Sequence, residues 1–157
     1  MVVDYKTRIG LHKKLNCLNG VMETKLPRSL DKIGQLFEFL QNFFSEYNIH
    51  DPISFPISLA AEELITNCIK YNRSGQDYIS ISIEHKGKYL ELKIVDAGPE
   101  FDPDTIPEVQ VNTPLQNRKV GGLGIHLVRQ LMDSMEYFYK NGQNTIILKK
   151  SLEPEDV

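Results

Sequence analysis

Three short stretches of this chain carry residues whose types and spacing suit chemistry. In "AAEELITNCIKYN", Glu63 and Asn67 stand four apart. On a helix they face the same way, one turn from each other. A carboxylate and an amide carbonyl so placed can help hold a hard cation such as Mg2+; the plainer reading is a solvated polar face. In "KIVDAGPEFDP" an alternating run ends on Asp96-Ala97-Gly98. In "GGLGIHLVRQLMD", Gly121, Gly122, Leu123 and Gly124 lead into a helix. The first N–H groups of a helix lack partners and carry partial positive charge, which suits an anion. Arg118 and Lys119 stand just ahead of these glycines, either as further charge for an anion or as a solvated loop pair.

Better-known signatures do not fit. A dinucleotide-binding G-x-G-x-x-G follows the first strand of a parallel unit, whereas these glycines follow a long loop and the pattern is incomplete. There is no G-x-x-x-x-G-K-[ST]. The four histidines have no ligand spacing, so zinc has little support.

The elements that must position these stretches follow from periodicity. Asn19-Gly20 is a hairpin-turn signal between one or two strands in 11–27. Residues 28–47 have helical period, with Ser29 as the expected N-cap. A second helix is expected over 54–72, with Pro56 in its first turn. Its apolar arc holds Ile57, Ala61, Leu64, Ile65 and Cys68, opposite Glu62, Glu63, Thr66, Asn67 and Lys70. Residues 77–85 and 89–96 alternate around Lys86-Gly87-Lys88 and predict a strand hairpin. Residues 97–121 have four prolines and no period, which suits a functional lid. A helix from about Gly122 to Glu136 follows, with Leu123, Leu127, Val128, Leu131 and Met135 facing the core. A final hairpin turns at Asn141-Gly142. Strands in adjacent pairs point to an α+β, two-layer sandwich: a mixed, mostly antiparallel sheet covered on one face by three helices.

Composition narrows the classes. A chain of 157 residues suits one compact domain. A net charge of −3 gives no strong attraction to nucleic acid or to an anionic membrane. Residues 1–32 carry seven Lys/Arg against three Asp/Glu, which reads as a solvated basic arm. Two cysteines, Cys17 and Cys68, form no CxxC pair and fit a reducing compartment. No stretch approaches the roughly 20 apolar residues of a membrane span, and the N-terminus has no signal-peptide pattern. A cytoplasmic protein is expected.

Taken in order and at these spacings, the three stretches resemble the anti-sigma-factor serine kinase family. These are stand-alone members of the histidine-kinase-like, Bergerat-fold ATPases. The resemblance covers about residues 26–150, with 1–25 as an N-terminal extension holding extra strands and 151–157 as a tail. It implies ATP and Mg2+ as cofactors. Glu63 would be the general base on a protein hydroxyl, and Asn67 the Mg2+ ligand. Lys70 would reach phosphate and Tyr71 would lie near adenine. Asp96 would accept a hydrogen bond from the adenine amine, distinguishing it from guanine's carbonyl. Gly98 would let the backbone approach the base. Gly121, Gly122, Leu123 and Gly124 form the phosphate-facing lid motif. Thr145 would bond near adenine through water. Glu100 stands where many relatives have a second glycine, and Tyr71 where many of these kinases have histidine.

The implied activity is phosphorylation of a serine on an antagonist protein in a partner-switching pathway. The implied partners are that protein and, by analogy, a sigma factor, with homodimerisation through the sheet. Two other readings use the same residues: an ATP-binding regulatory module without phosphotransfer, and the catalytic domain of a sensor histidine kinase. The last needs an upstream helical phosphoacceptor, which the residues before Leu26 are too few to form.

Overall fold

A computed structural model describes residues 20–72, 76–103 and 123–153 of the chain. Among them are five strands and three α-helices. Strand β1 is Val21–Pro27, followed by a 3-10 turn at Leu30–Lys32, helix α1 at Ile33–Glu46 and helix α2 at Asp51–Tyr71. Strands β2 (Tyr78–Lys86) and β3 (Tyr89–Ala97) come next, then helix α3 (Leu123–Leu131) and strands β4 (Ser134–Lys140) and β5 (Gln143–Ser151). The strands form one sheet in the order β1-β2-β3-β5-β4, with every pairing antiparallel. The mixed component of the expected sheet is therefore absent among the described residues.

The alternation read from the sequence is the alternation of the sheet. Ile79, Ile81 and Ile83 of β2 and Leu90, Leu92 and Ile94 of β3 point into the core, as do Ile146 and Leu148 of β5. Against them pack Leu36, Phe39, Leu40, Phe43 and Phe44 of α1, and Ile57, Ala60, Ala61, Leu64 and Ile65 of α2. The β2–β3 turn uses Gly87 at φ +64°, and the β4–β5 turn uses Asn141 and Gly142 at +53° and +72°. These are the left-handed conformations that two-residue hairpin turns require.

Three boundaries differ from the sequence reading. Ser29 heads the 3-10 turn rather than α1, and its hydroxyl bonds the Asp31 carboxylate instead of a backbone N–H. Helix α2 begins at Asp51, with Pro52 in its first turn, so Pro56 lies inside the helix. The early start comes from His50, whose carbonyl accepts the N–H groups of Ile53 and Ser54. Helix α3 ends at Leu131, and Met135 belongs to β4. Asp133 stops it: its N–H donates to the Lys149 carbonyl, and its carboxylate accepts the Ser151 N–H. The buried face of α3 and its exit is Ile125, Val128 and Met132; Leu131 packs partly against the core, and Leu127 is half-buried. The strands expected before Gly20, Cys17, and the lid beyond Pro103 lie outside the described residues.

Candidate functional site

The register of β3 against β5 builds the site. Leu92 pairs with Leu148 and Ile94 with Ile146, and both pairs are core. The next pair on the same face is Asp96 with Asn144. The apolar ladder thus turns polar in one step, at the end of the sheet beneath the C-terminal half of α2. There a cleft opens, mostly apolar with a few convergent polar groups, the make-up of a small-molecule site. Its floor is Leu64, Cys68, Ile94 and Ile146, and its polar rim includes Asn67, Asn72, Asp96 and Asn144. A flat apolar floor with a few fixed acceptors suits an aromatic base.

Asp96 is buried and held on both oxygens. Arg28 donates to Oδ1, and Asn72 Nδ2 donates to Oδ2 at 2.8 Å. A second Asn72 Nδ2 hydrogen reaches the Ala97 carbonyl at 2.6 Å, while Asn72 Oδ1 is buried without a partner. Gly98 follows at φ +156°. A Cβ there would run into the Asn72 amide, so the glycine admits this side chain as well as leaving the cleft wall open.

Asn144 joins the cleft to the segment beyond β3. Its Oδ1 accepts the Phe101 N–H and the Tyr137 hydroxyl, each at 2.8 Å. Its Nδ2 donates to the Pro99 carbonyl at 2.8 Å. The Gly98 N–H donates to Gly142 O at 3.0 Å, and the Tyr139 hydroxyl to Gly98 O at 3.1 Å. Residues 98–101 are therefore pinned to the β4–β5 hairpin. Farther along, Arg129 of α3 donates to the Pro103 carbonyl at 3.1 Å. Burial raises the Tyr137 hydroxyl above its ordinary pKa. The Cys68 thiol is also pushed up, chiefly by burial and then by the Asp96 carboxylate, so it is a neutral part of the floor.

The start of α3 meets α2 at the outer end of the cleft. A Cβ placed on Gly124 would lie 2.6 Å from Glu63 Oε2 and 3.5 Å from Asn67 Nδ2. A side chain at this position would displace the Glu63 carboxylate, so the glycine lets the first turn of α3 sit against that pair as it stands. One helix N-terminus, one carboxylate and one amide thus converge where the polar rim ends. Among the described residues no cluster of His, Cys, Asp and Glu is arranged to hold a metal ion. The oxygens of Glu63 and Asn67 are hard donors of the kind Mg2+ takes, with the rest of its shell left to water or phosphate.

Of the residues singled out in the sequence, Asn67, Tyr71 and Asp96 line the cleft. Gly98 closes its wall, and Glu63 and Gly124 stand at its outer end. Lys70 is exposed on α2 and outside the lining. Tyr71 is 56% exposed, with its ring at the mouth. Thr145 does not line the cleft: it pairs with Val95, and strand alternation turns it to the opposite face from Asn144. Arg118, Lys119, Gly121 and Gly122 lie outside the described residues, as does the side chain of Leu123. Asn144, Asn72 and Arg28 were missed. Asn144 could have been found from the β3–β5 register, by placing the residue opposite Asp96; Arg28 had no local signal.

Comparison with known proteins gives the same picture. The pattern of the family described as Histidine kinase-like ATPase domain matches residues 26–150. Serine-protein kinase RsbW of Listeria monocytogenes serotype 4a (strain HCC23) is 30% identical over 99 residues, covering 59% of this chain and 63% of that protein. The match thus spans less than two thirds of that relative's length. Serine-protein kinase RsbW of Staphylococcus aureus (strain MSSA476) is 26% identical over 144 residues, covering 87% and 89%. Among solved structures, the RsbU and RsbW domains of a Mycobacterium tuberculosis protein align with a TM-score of 0.64 at 13% identity, over 85% of this chain and 33% of that one. A chain of the SiaB-SiaC complex from Pseudomonas aeruginosa aligns at 0.58 and 12% identity, over 85% and 92%. At these identities the structural likenesses bear on the fold.

Proposed function

Because the chain belongs to the histidine kinase-like ATPase domain family, we propose that it binds ATP in the cleft and transfers the γ-phosphate to a serine of a partner protein. The observation that carries this reading is the convergence of Glu63, Asn67 and Gly124 at the outer end of a cleft whose inner wall holds Asp96. The adenine lies over the apolar floor, and its exocyclic amine donates to Asp96. The phosphates run outward toward the unpaired N–H groups at the start of α3. Gly121, Gly122 and the cations Arg118 and Lys119 belong to the same end of the site by sequence. Lys70, one turn beyond Asn67 on α2, reaches phosphate from the solvent side in this reading.

Glu63 accepts the proton of the incoming serine hydroxyl as its oxygen bonds to the γ-phosphorus and ADP departs. Asn67 Oδ1 is the protein ligand for Mg2+, which when bound neutralises charge on the phosphate oxygens. Resemblance to the RsbW serine-protein kinases points to an antagonist protein of a partner-switching pathway as the substrate. A sigma factor as second partner, a homodimer and a cytoplasmic setting belong to the same proposal. Among the described residues no helix is long and apolar enough to cross a membrane.

The test is incubation with Mg-ATP labelled at the γ-phosphate and a candidate antagonist domain. Serine labelling is expected, falling at least 100-fold in Glu63→Gln with ATP affinity kept within about threefold, since loss of a positioned base costs roughly 10²–10⁴ in rate. Undiminished labelling in Glu63→Gln removes the base assignment. ATP binding with no transfer to any such domain leaves an ATP-binding regulatory module.

A further inference from the structure

Arg28 directly follows β1, on the far side of the cleft wall from any bound base. Its side chain is only 10% exposed, and four of the five guanidinium N–H groups are engaged. Nε donates to the Gln76 carbonyl at 2.7 Å. Nη1 donates to the carbonyls of Cys68 and Asn72 at 3.0 and 3.2 Å. Nη2 donates to the Asp96 carboxylate. These acceptors divide into two sets. The three carbonyls belong to the last turn of α2 and the segment after it, that of Cys68 also accepting the Asn72 N–H at 3.1 Å. The carboxylate belongs to the end of β3 and is the buried acidic group of the cleft lining, Glu100 being exposed.

Arg28 is absent from the cleft lining, whereas Asp96 and Asn72 are both part of it. The guanidinium therefore reaches Asp96 from behind, and the Asn72 amide holds the other oxygen from the side. A carboxylate this deeply buried is costly without a countercharge. A planar guanidinium anchored at three other points also fixes where that countercharge stands. With Arg28 removed, the carboxylate has one neutral partner and gains by turning toward water, away from the position that reads a base.

We infer that Arg28 is a positioning residue for nucleotide-base selectivity. It touches no ligand. It holds the Asp96 carboxylate aimed so that the remaining lone pairs face an exocyclic amine, and it locks the end of β3 to the helix that carries Glu63 and Asn67. The inference rests on the ATP reading of the cleft. It adds that the discrimination between an amine and a carbonyl on the base is set by a residue of a different strand.

The test compares binding of ATP and ITP, in which a carbonyl oxygen replaces the adenine amine. Affinities are measured by calorimetry for the wild-type chain, Arg28→Met, Arg28→Lys and Asp96→Ala, each with a thermal melt. The wild-type chain is expected to prefer ATP at least tenfold, and Asp96→Ala to lose that preference. Arg28→Met is expected to lose at least fivefold of it, through weaker ATP binding, with ITP binding unchanged within twofold. Arg28→Lys keeps a cation for Asp96 but not the fork of carbonyl bonds, so a lower melting temperature with most of the preference retained is expected. A merely structural fastener gives the opposite pattern: melting falls in both Arg28 variants and the ATP/ITP ratio does not move. That result overturns the inference. If Arg28→Met does not fold, Arg28→Gln, a shorter neutral side chain, takes its place with the same expected loss of preference, and an unmoved ATP/ITP ratio in it overturns the inference. A wild-type chain that binds neither nucleotide removes the ATP reading itself. A preference that depends on Asp96 but not on Arg28 removes only this inference.

Discussion

Gly124 shows how little room the outer end of the cleft leaves. A Cβ at this position meets the Glu63 carboxylate at 2.6 Å, closer than side-chain carbons stand to such atoms. The obstructed atom is the free end of a flexible side chain, so Gly124→Ala is expected to fold. Alanine also favours the helix over glycine by about 1 kcal/mol, so the melting temperature should hold or rise. The carboxylate must move, however, and a base displaced by about 1 Å loses on the order of 100-fold in rate. Steady-state phosphotransfer by Gly124→Ala should fall by at least tenfold while the melt is unchanged or higher; wild-type turnover would show that the Glu63 position does not matter. The same closeness explains which site residues the sequence revealed. Glu63, Asn67, Asp96 and Gly98 announce themselves through helical spacing or a strand end followed by glycine. Asn144 and Arg28 act through partners on other strands, and nothing in "NTIILKK" or "KLPRSL" records those partners. Asn144 and Thr145 are neighbours in β5, and in a strand one residue is a change of face.

At the scale of elements, periodicity located every described strand and α-helix and erred at boundaries, the end of α3 being one that a distant contact sets. The spacing of Leu127, Leu131 and Met135 continues a helical stripe past the point where the helix stops. Asp133, bonded to Lys149 and Ser151 of β5, turns the chain into β4 instead. The inward face consequently belongs to Ile125, Val128 and Met132, with Ile125 1% exposed. Truncating a fully buried isoleucine removes apolar contact and leaves a cavity, at about 2–5 kcal/mol. A half-buried Leu127 costs about 1 kcal/mol by the same transfer argument. Urea denaturation of Ile125→Ala and Leu127→Ala should therefore separate by at least about 1 kcal/mol, with Ile125→Ala the weaker. The reverse order would restore the helical face read from the sequence. Helix α2 teaches the complementary lesson. Pro56 suggested a start near residue 54, but Pro52 and the His50 carbonyl begin the helix earlier, and Pro56 is carried inside it.

At the scale of the molecule, the sheet order β1-β2-β3-β5-β4 sets β3 and β5 side by side against α2, and the cleft forms where their shared core ladder ends. The site is thus assembled from five segments far apart in the chain: the residue after β1, the latter half of α2, the end of β3, the start of α3 and the start of β5. Occupying it must couple them. A ligand that binds only the folded chain stabilises it by about 2.7 kcal/mol at a concentration of 100 Kd. For a domain of this size each kcal/mol raises the melting temperature by about 2–4 °C. Mg-ATP at that excess should accordingly raise the midpoint by roughly 5–10 °C in a calorimetric scan. Because Asp96 is held by both Arg28 and Asn72, the rise should shrink to less than half in Asp96→Ala at the same nucleotide concentration, whereas Lys88→Ala, an exposed position away from the cleft, should keep most of it. A nucleotide-induced rise that is equal in Asp96→Ala and the wild-type chain would mean that ATP is held by its phosphates alone, and that the apolar cleft takes no part in recognising the base.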